Sequence, residues 1–242
     1  MTKNSQLRLH VYDHCPYCIR VELALGWRSM QYERVVYGYG DKLGDDSKRG
    51  CYDGGVVLTG KKELPVLEKI GADGAREWLK AESLDIVAWV EGESGAPFQA
   101  KSDRSDLRAF FATDGRFKVV QRMLSRPRNL RMTHLKDWSR EEDVTYAKAK
   151  YEGGGFDYAA AEARDAESIA EMTTLLEAAE CLLGSSCFLY QNATLGVDDL
   201  LYLPEFRTVT LARGVAWPAR LRKYVESAHA LAGVGTYFDD QI

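Results

Sequence analysis

The sequence predicts an α/β N-terminal domain followed by an all-helical C-terminal domain, on three observations. A half-buried strand pattern, Leu7-Arg8-Leu9-His10-Val11-Tyr12, runs into Asp13-His14-Cys15-Pro16-Tyr17-Cys18 and then into a helical apolar stripe. Leu64-Pro65-Val66-Leu67 precedes an Asp-Gly turn and another short strand, the pattern of a hairpin. Beyond residue 104 almost every stretch reads as helix, with apolar residues recurring at spacings of three and four.

In the first strand Leu7, Leu9 and Val11 share one face by period-two alternation. The helix that follows carries Val21, Leu23, Ala24, Leu25 and Trp27 and ends at Gly26 or soon after. Tyr32 to Tyr37 is rich in β-formers and predicts a second strand. Gly38 to Gly60, heavy in Gly, Asp and Lys, predicts a loop or a short irregular helix, with Cys51 as an incidental loop thiol. Leu64, Val66 and Leu67 form a buried strand beginning at a proline, which suits an edge, a strand start or a special turn. Gly71-Ala72-Asp73-Gly74 turns the chain into a strand over Arg76 to Leu79. Ser83 is the expected N-cap of an apolar helix running from Leu84 to Val90, with N–H groups free to receive a carboxylate.

Glu91 to Asp103 reads as a linker. Leu107, Phe110, Phe111, Phe117, Val120 and Leu124 predict one long or kinked helix, interrupted near Asp114-Gly115 and ended by Arg126-Pro127-Arg128. The basic run Arg122 to Arg131 reads as a solvated helix end. Glu141 to Glu152 forms a charged helix broken by Gly153-Gly154-Gly155. Ile169, Met172, Leu176, Ala179 and Leu183 mark a core-facing stripe, and Cys181 and Cys187 are expected as buried packing residues. Asp198-Asp199 opens a helix kinked at Pro204, and Trp217-Pro218 opens the last, with Leu221, Tyr224 and Val225 facing inward.

The chemistry lies in Cys15-Pro16-Tyr17-Cys18. A helix start presents unpaired N–H groups and a partial positive charge, which favour a thiolate at Cys15. Pro16 suits the first helical position, and Cys18 lies about one turn on, within reach of a disulfide formed at Cys15. His14 and Arg20 add positive charge nearby. Cys15 is thus the candidate nucleophile and Cys18 the resolving thiol. Half of a zinc site and a structural disulfide are the competing readings. The first wants a second ligand pair, whereas the histidines (His10, His14, His134 and His229) are scattered. The second would close too short a loop to stabilise much.

Composition sets the outer limits. The chain has 242 residues, 45% apolar and 28% charged, with a net charge of −4, so it has no general attraction for nucleic acid or anionic membranes. No apolar run approaches the ~20 residues of a membrane span, and the N-terminus has no apolar signal core. Five cysteines in this length do not make a secreted disulfide framework, so a reducing cytosol is expected.

Tyr12 to Cys18, Leu64 to Leu67, Glu82-Ser83-Leu84-Asp85-Ile86-Val87, Asp198-Asp199 through Leu203-Pro204 to Thr210-Leu211, and Gly214-Val215-Ala216-Trp217-Pro218 together resemble the glutaredoxin 2 family, over nearly the whole length. The resemblance implies a thioredoxin-like glutaredoxin domain over residues 1–92, a linker over 93–104 and a glutathione-transferase-like helical bundle over 105–242, the two domains packed together. It implies a cis peptide before Pro65 that faces Cys15, and backbone pairing of Leu64 with the cysteinyl part of glutathione. Glu82 would meet the γ-glutamyl ammonium and Ser83 its carboxylate, with Tyr17 and Pro65 completing the glutathione site. Three departures stand out: Glu63 where relatives carry Thr or Gln two places before the proline, a longer segment over 38–60, and Gly196 at a helix cap that often holds Ser or Thr.

The function so implied is glutathione-dependent reduction of glutathione mixed disulfides and protein disulfides by a cytoplasmic monomer, with glutathione as co-substrate and no metal, nucleic acid or membrane partner. A cysteine-type glutathione transferase or dehydroascorbate reductase is one alternative, although neither needs Cys18. A non-enzymatic, redox-gated binding protein is another.

Overall fold

A computed structural model of the chain describes residues 6–40, 58–184 and 195–242. Cys51 and Cys187, and most of the segment from Gly38 to Gly60, lie outside the described residues. The chain divides into two compact units. One holds the described residues up to Ala96 together with Met132–Gly153, the other Pro97–Arg131 and Gly154–Ile242. The helical stretch Met132–Gly153 thus groups with the first unit, whereas the sequence boundary at residue 105 assigns it to the second.

In the first unit, β1 (Gln6–Val11), β2 (Glu33–Val36), β3 (Val66–Ile70) and β4 (Arg76–Ala81) form one sheet in the order β2-β1-β3-β4. β1 runs parallel to β2 and antiparallel to β3, and β3 pairs antiparallel with β4 in the expected hairpin. Helices α1 (Pro16–Trp27) and α2 (Ser83–Ser94) pack against each other. α1 is buried on nearly every side: every residue from Cys18 to Leu25 is buried, not only the apolar stripe. Its two buried charges therefore need partners. Glu22 takes Arg34 Nε at 2.5 Å, and Arg20 Nη1 donates to Ser83 Oγ at 2.8 Å.

One local expectation changes. α2 begins one residue earlier than expected: Glu82 is the N-cap, and Ser83 is the first helical residue with no capping bond of its own. The buried Arg20 guanidinium holds the Ser83 hydroxyl instead. Glu82 has φ 66°, a left-handed conformation that costs about 1–3 kcal/mol in a non-glycine residue and is common at binding sites.

In the second unit, the expected long helix divides into α3 (Ser105–Phe110) and α4 (Arg116–Asn129) at Asp114-Gly115. α4 ends at Asn129, one residue past the expected stop at Arg126-Pro127-Arg128, and tertiary contacts hold its last turn. Arg128 is buried there, donating to Leu124 O at 3.2 Å, to both Asp165 oxygens at 2.6 and 2.9 Å and to Ile242 O at 2.9 Å. The basic run is therefore partly structural rather than a solvated end. A short 3-10 turn (Lys136–Trp138) and α5 (Glu141–Gly153) return the chain to the first unit. α6 (Tyr158–Ala163), α7 (Asp165–Glu180), α8 (Val197–Val209) and α9 (Ala219–Ala232) complete the second. Its core gathers Phe111, Phe117, Leu124, Met172, Leu176, Leu203, Phe206 and Val225. Cys181 departs from expectation: it sits at the end of α7, where the stripe has run out, and is exposed.

Gly196 caps α8, and its N–H donates to Asp199 Oδ2 at 2.7 Å. The glycine is there for space: a Cβ would meet Gln99 Cβ and carbonyl oxygen at 2.8 Å, where the two segments form a parallel bridge. Its φ of −135° is open to any residue.

Candidate active site

Cys15 is the N-cap of α1, in extended backbone conformation, and Pro16 fills the first helical position as the sequence requires. The sulfur of Cys15 is half-buried, and that of Cys18 is inaccessible one turn on. Both are free thiols. Their ionisation is split. The Cys18 thiol hydrogen-bonds to the Cys15 sulfur and does most to lower the Cys15 pKa, from 9.0 to about 7. Burial opposes this, and the charge of His14 and the N–H groups of Cys18 and Tyr17 lower it further. Cys18 moves the other way, well above its ordinary value, first because it is buried and then because the Cys15 thiolate faces it. One sulfur is poised as an anion and the other is kept as a protonated reserve.

The Leu64–Pro65 peptide is cis and sets the Leu64 carbonyl oxygen 3.9 Å from Cys15 Sγ. Tyr17, Leu64, Pro65, Glu82 and Ser83, all singled out from sequence, line one cleft of about 450 Å³. Thr59, Lys61, Glu63 and Ala81 share it. Lys61 brings a positive charge beside the negative charges of Glu63 and Glu82. Tyr17 is 56% exposed, and the Arg20 guanidinium lies 5.1 Å from its ring centre. Arg20 was expected to support the thiolate. Its guanidinium donates to the Ser83 hydroxyl at the start of α2.

His14 is where the structure adds a residue the sequence did not reveal. Its imidazole Nδ1 is paired with Asp137, in the 3-10 turn far along the chain. Asp137 is wholly buried and also accepts the backbone N–H groups of Asp13 at 2.9 Å and His14 at 2.8 Å. Tyr39 and Trp138 pack on the imidazole with ring centres 4.7 and 4.6 Å away. No local motif marks Asp137; an aspartate beside a tryptophan in a helical half gives no signal. Among the described residues no cluster of His, Cys, Asp and Glu could hold a metal ion, and no helix is long and apolar enough to cross a membrane.

Fold and site together define a protein of glutathione-transferase-like build with a dithiol at the head of a thioredoxin-like domain. Residues 114–240 match the family model of the glutaredoxin 2 C-terminal domain, and residues 9–98 that of the glutathione S-transferase N-terminal domain. The chain belongs to the glutaredoxin 2 family. It is similar to glutaredoxin 2 of Escherichia coli (strain K12), 26% identical over 218 residues that cover 90% of this chain and 92% of that one. The crystal structure of glutaredoxin 2 from Salmonella typhimurium in complex with glutathione is similar at a TM-score of 0.80 and 21% identity, covering 98% of this chain and 99% of that one. Leishmania TDR1, a trimeric glutathione transferase, has a TM-score of 0.50 at 19% identity, covering 94% of this chain and 45% of that one.

Proposed function

We propose that the chain is a glutathione-dependent thiol–disulfide oxidoreductase, with Cys15 as nucleophile and Cys18 as resolving thiol. The observation that carries this is the split ionisation of the two sulfurs at one helix start, with the Cys15 sulfur beside the Leu64 carbonyl. The complex of the Salmonella relative with glutathione supports glutathione as the co-substrate. Leu64 would pair with its cysteinyl backbone, Glu82 with the γ-glutamyl ammonium, and Ser83 with the carboxylate, backed by Arg20.

With a glutathione mixed disulfide, the Cys15 thiolate attacks the glutathione sulfur, a Cys15–glutathione disulfide forms, and the substrate leaves as a thiolate that takes a proton from solvent. A second glutathione, as its thiolate, attacks the glutathione sulfur held on Cys15, releasing glutathione disulfide and the Cys15 thiolate. With a protein disulfide, the Cys15 thiolate attacks one substrate sulfur and expels the other as a thiolate. Cys18 then loses its proton to solvent and attacks the Cys15 sulfur, expelling the second substrate sulfur as a thiolate, and both substrate thiolates take protons from solvent. The Cys15–Cys18 disulfide remains, and two glutathione molecules reduce it. Conversion of Cys15 to a disulfide removes the negative charge and hydrogen bond that help hold the Cys18 proton, so the resolving thiol ionises more readily when it is needed.

The test is glutathione-coupled turnover of the unsubstituted chain and two variants on both substrate types. Cys15→Ser should lose both activities. Cys18→Ser should keep reduction of the glutathione mixed disulfide and lose that of the protein disulfide. Equal loss of both in Cys18→Ser would overturn this division of labour. The match of residues 9–98 to a transferase domain favours one rival, a cysteine-type glutathione transferase, which would turn over an aryl halide at rates independent of Cys18.

A further inference from the structure

Asp137 is a buried carboxylate that reaches the nucleophile loop from a segment distant in sequence. A carboxylate with no exposed surface persists only where donors replace its water. Here the donors are the N–H of Asp13, the N–H of His14 and the His14 imidazole, all in the two residues before Cys15. Its own main chain adds a further tie, since its carbonyl oxygen accepts the Tyr39 N–H at 3.0 Å. The ring of Tyr39 closes on the same imidazole.

We propose that Asp137 is the positioning residue of the nucleophile, holding the His14 imidazole and the Asp13–His14 backbone so that the loop presents the Cys15 sulfur in one orientation. The proposal rests on the reading of Cys15 as nucleophile. A carboxylate on Nδ1 fixes the proton there and fixes the ring plane, as second-layer carboxylates do for other functional imidazoles. The held ring keeps the imidazole beside Cys15, where its positive charge favours the thiolate. Asp137 carries a charge of the opposite sign. The nearer His14, next to Cys15 in the chain, dominates at the sulfur.

The other charges on this wall have partners of their own. Asp13 pairs with Arg34 at 2.5 Å, and Arg34 also holds Glu22. Lys150 donates to the Tyr39 hydroxyl at 2.9 Å, and Lys62 to the Tyr39 carbonyl at 3.0 Å. Asp143 takes Arg140 and the Gly40 N–H. Asp143 is thus the matched control: equally buried, in the same helical stretch, but with no bond to the nucleophile loop.

The experiment measures the pH midpoint of Cys15 alkylation by iodoacetamide, resolved peptide by peptide so that the other cysteines do not interfere. Asp137→Asn should raise the midpoint by about one pH unit, the size expected for loss of one close favourable charge. His14→Gln should move it the same way, and the double variant no further than the larger single shift. Asp143→Asn should lower thermal stability without moving the midpoint. A folded Asp137→Asn protein with an unmoved midpoint, or additive shifts in the double variant, would overturn the proposal. Should Asp137→Asn not fold, nitrogen NMR of His14 in the unsubstituted chain decides instead: a proton on Nδ1 supports the proposal, and a neutral ring protonated only at Nε2 refutes it. Failure here leaves the nucleophile assignment intact, because that assignment stands or falls on Cys15→Ser turnover.

Discussion

The split between the two thiols predicts a characteristic pH–rate profile for Cys15. The perturbation is pH itself, with Cys15→Ser as the blank and a small uncharged disulfide as the reactant. At pH 7 a thiol with its pKa at about 7 is about half thiolate, against about 1% for one at the ordinary 9.0, a ratio of about fifty. Thiolates of lower pKa are weaker nucleophiles, and a Brønsted slope of about 0.45 reduces the rate per thiolate about eightfold across that difference. Cys15 should therefore react about sixfold faster than an ordinary thiol at pH 7, where ionisation dominates. At pH 9, where Cys15 is almost wholly ionised and the ordinary thiol about half, it should react about fourfold slower, because nucleophilicity then dominates. Stopped-flow rates should rise about tenfold per pH unit below 7 and flatten above it. A rate that climbs without a break to pH 9 would refute the reasoning.

Other outcomes follow from particular residues. Ser83→Ala and Arg20→Met should each raise the KM for glutathione about tenfold, the effect of one hydrogen bond to a charged group, with kcat changed much less. Equal losses in kcat would place both residues in the chemical step. His229 is buried with Nε2 unpartnered, and burial, aided by Arg207, lowers its pKa to about 4. The unfolded chain takes up this proton near 6.5 and the folded chain does not, so the stabilisation is complete above pH 6.5 and is lost as pH falls towards 4. Urea unfolding should show about 3 kcal/mol of this loss, absent in His229→Leu. Gly196→Ala should destabilise the chain by about 1–3 kcal/mol, read as a lowered urea midpoint, because its Cβ meets Gln99 backbone rather than a flexible side-chain end. A rise in stability would show that the capping position, not the close approach, decides.

The parts legible in sequence are those whose cause is local. The alternation of Leu7, Leu9 and Val11, the proline at the first turn of α1 and the Asp-Gly turn each act within a few residues, and each element stands where they put it. The cleft was legible through resemblance, since Tyr17, Leu64, Pro65, Glu82 and Ser83 come together only in the fold. What was not legible depends on distant partners. The bond from Arg20 to Ser83 carries no local signal, because it arises only where buried α1 meets the start of α2. The helix end around Pro127 reads as solvated, but Arg128 is buried there and paired with Asp165, which lies far along the chain. Asp137 carried no motif, and its role arises only because the 3-10 turn lies against the loop before Cys15.

The central claim is that Cys15 carries the substrate and Cys18 releases it. The most direct measurement is peptide mapping of the disulfides formed when the unsubstituted chain and Cys18→Ser meet glutathione disulfide. The account predicts glutathione on Cys15 in Cys18→Ser, and a Cys15–Cys18 disulfide in the unsubstituted chain. Glutathione on Cys18, or a Cys15 left unmodified in both, would contradict it.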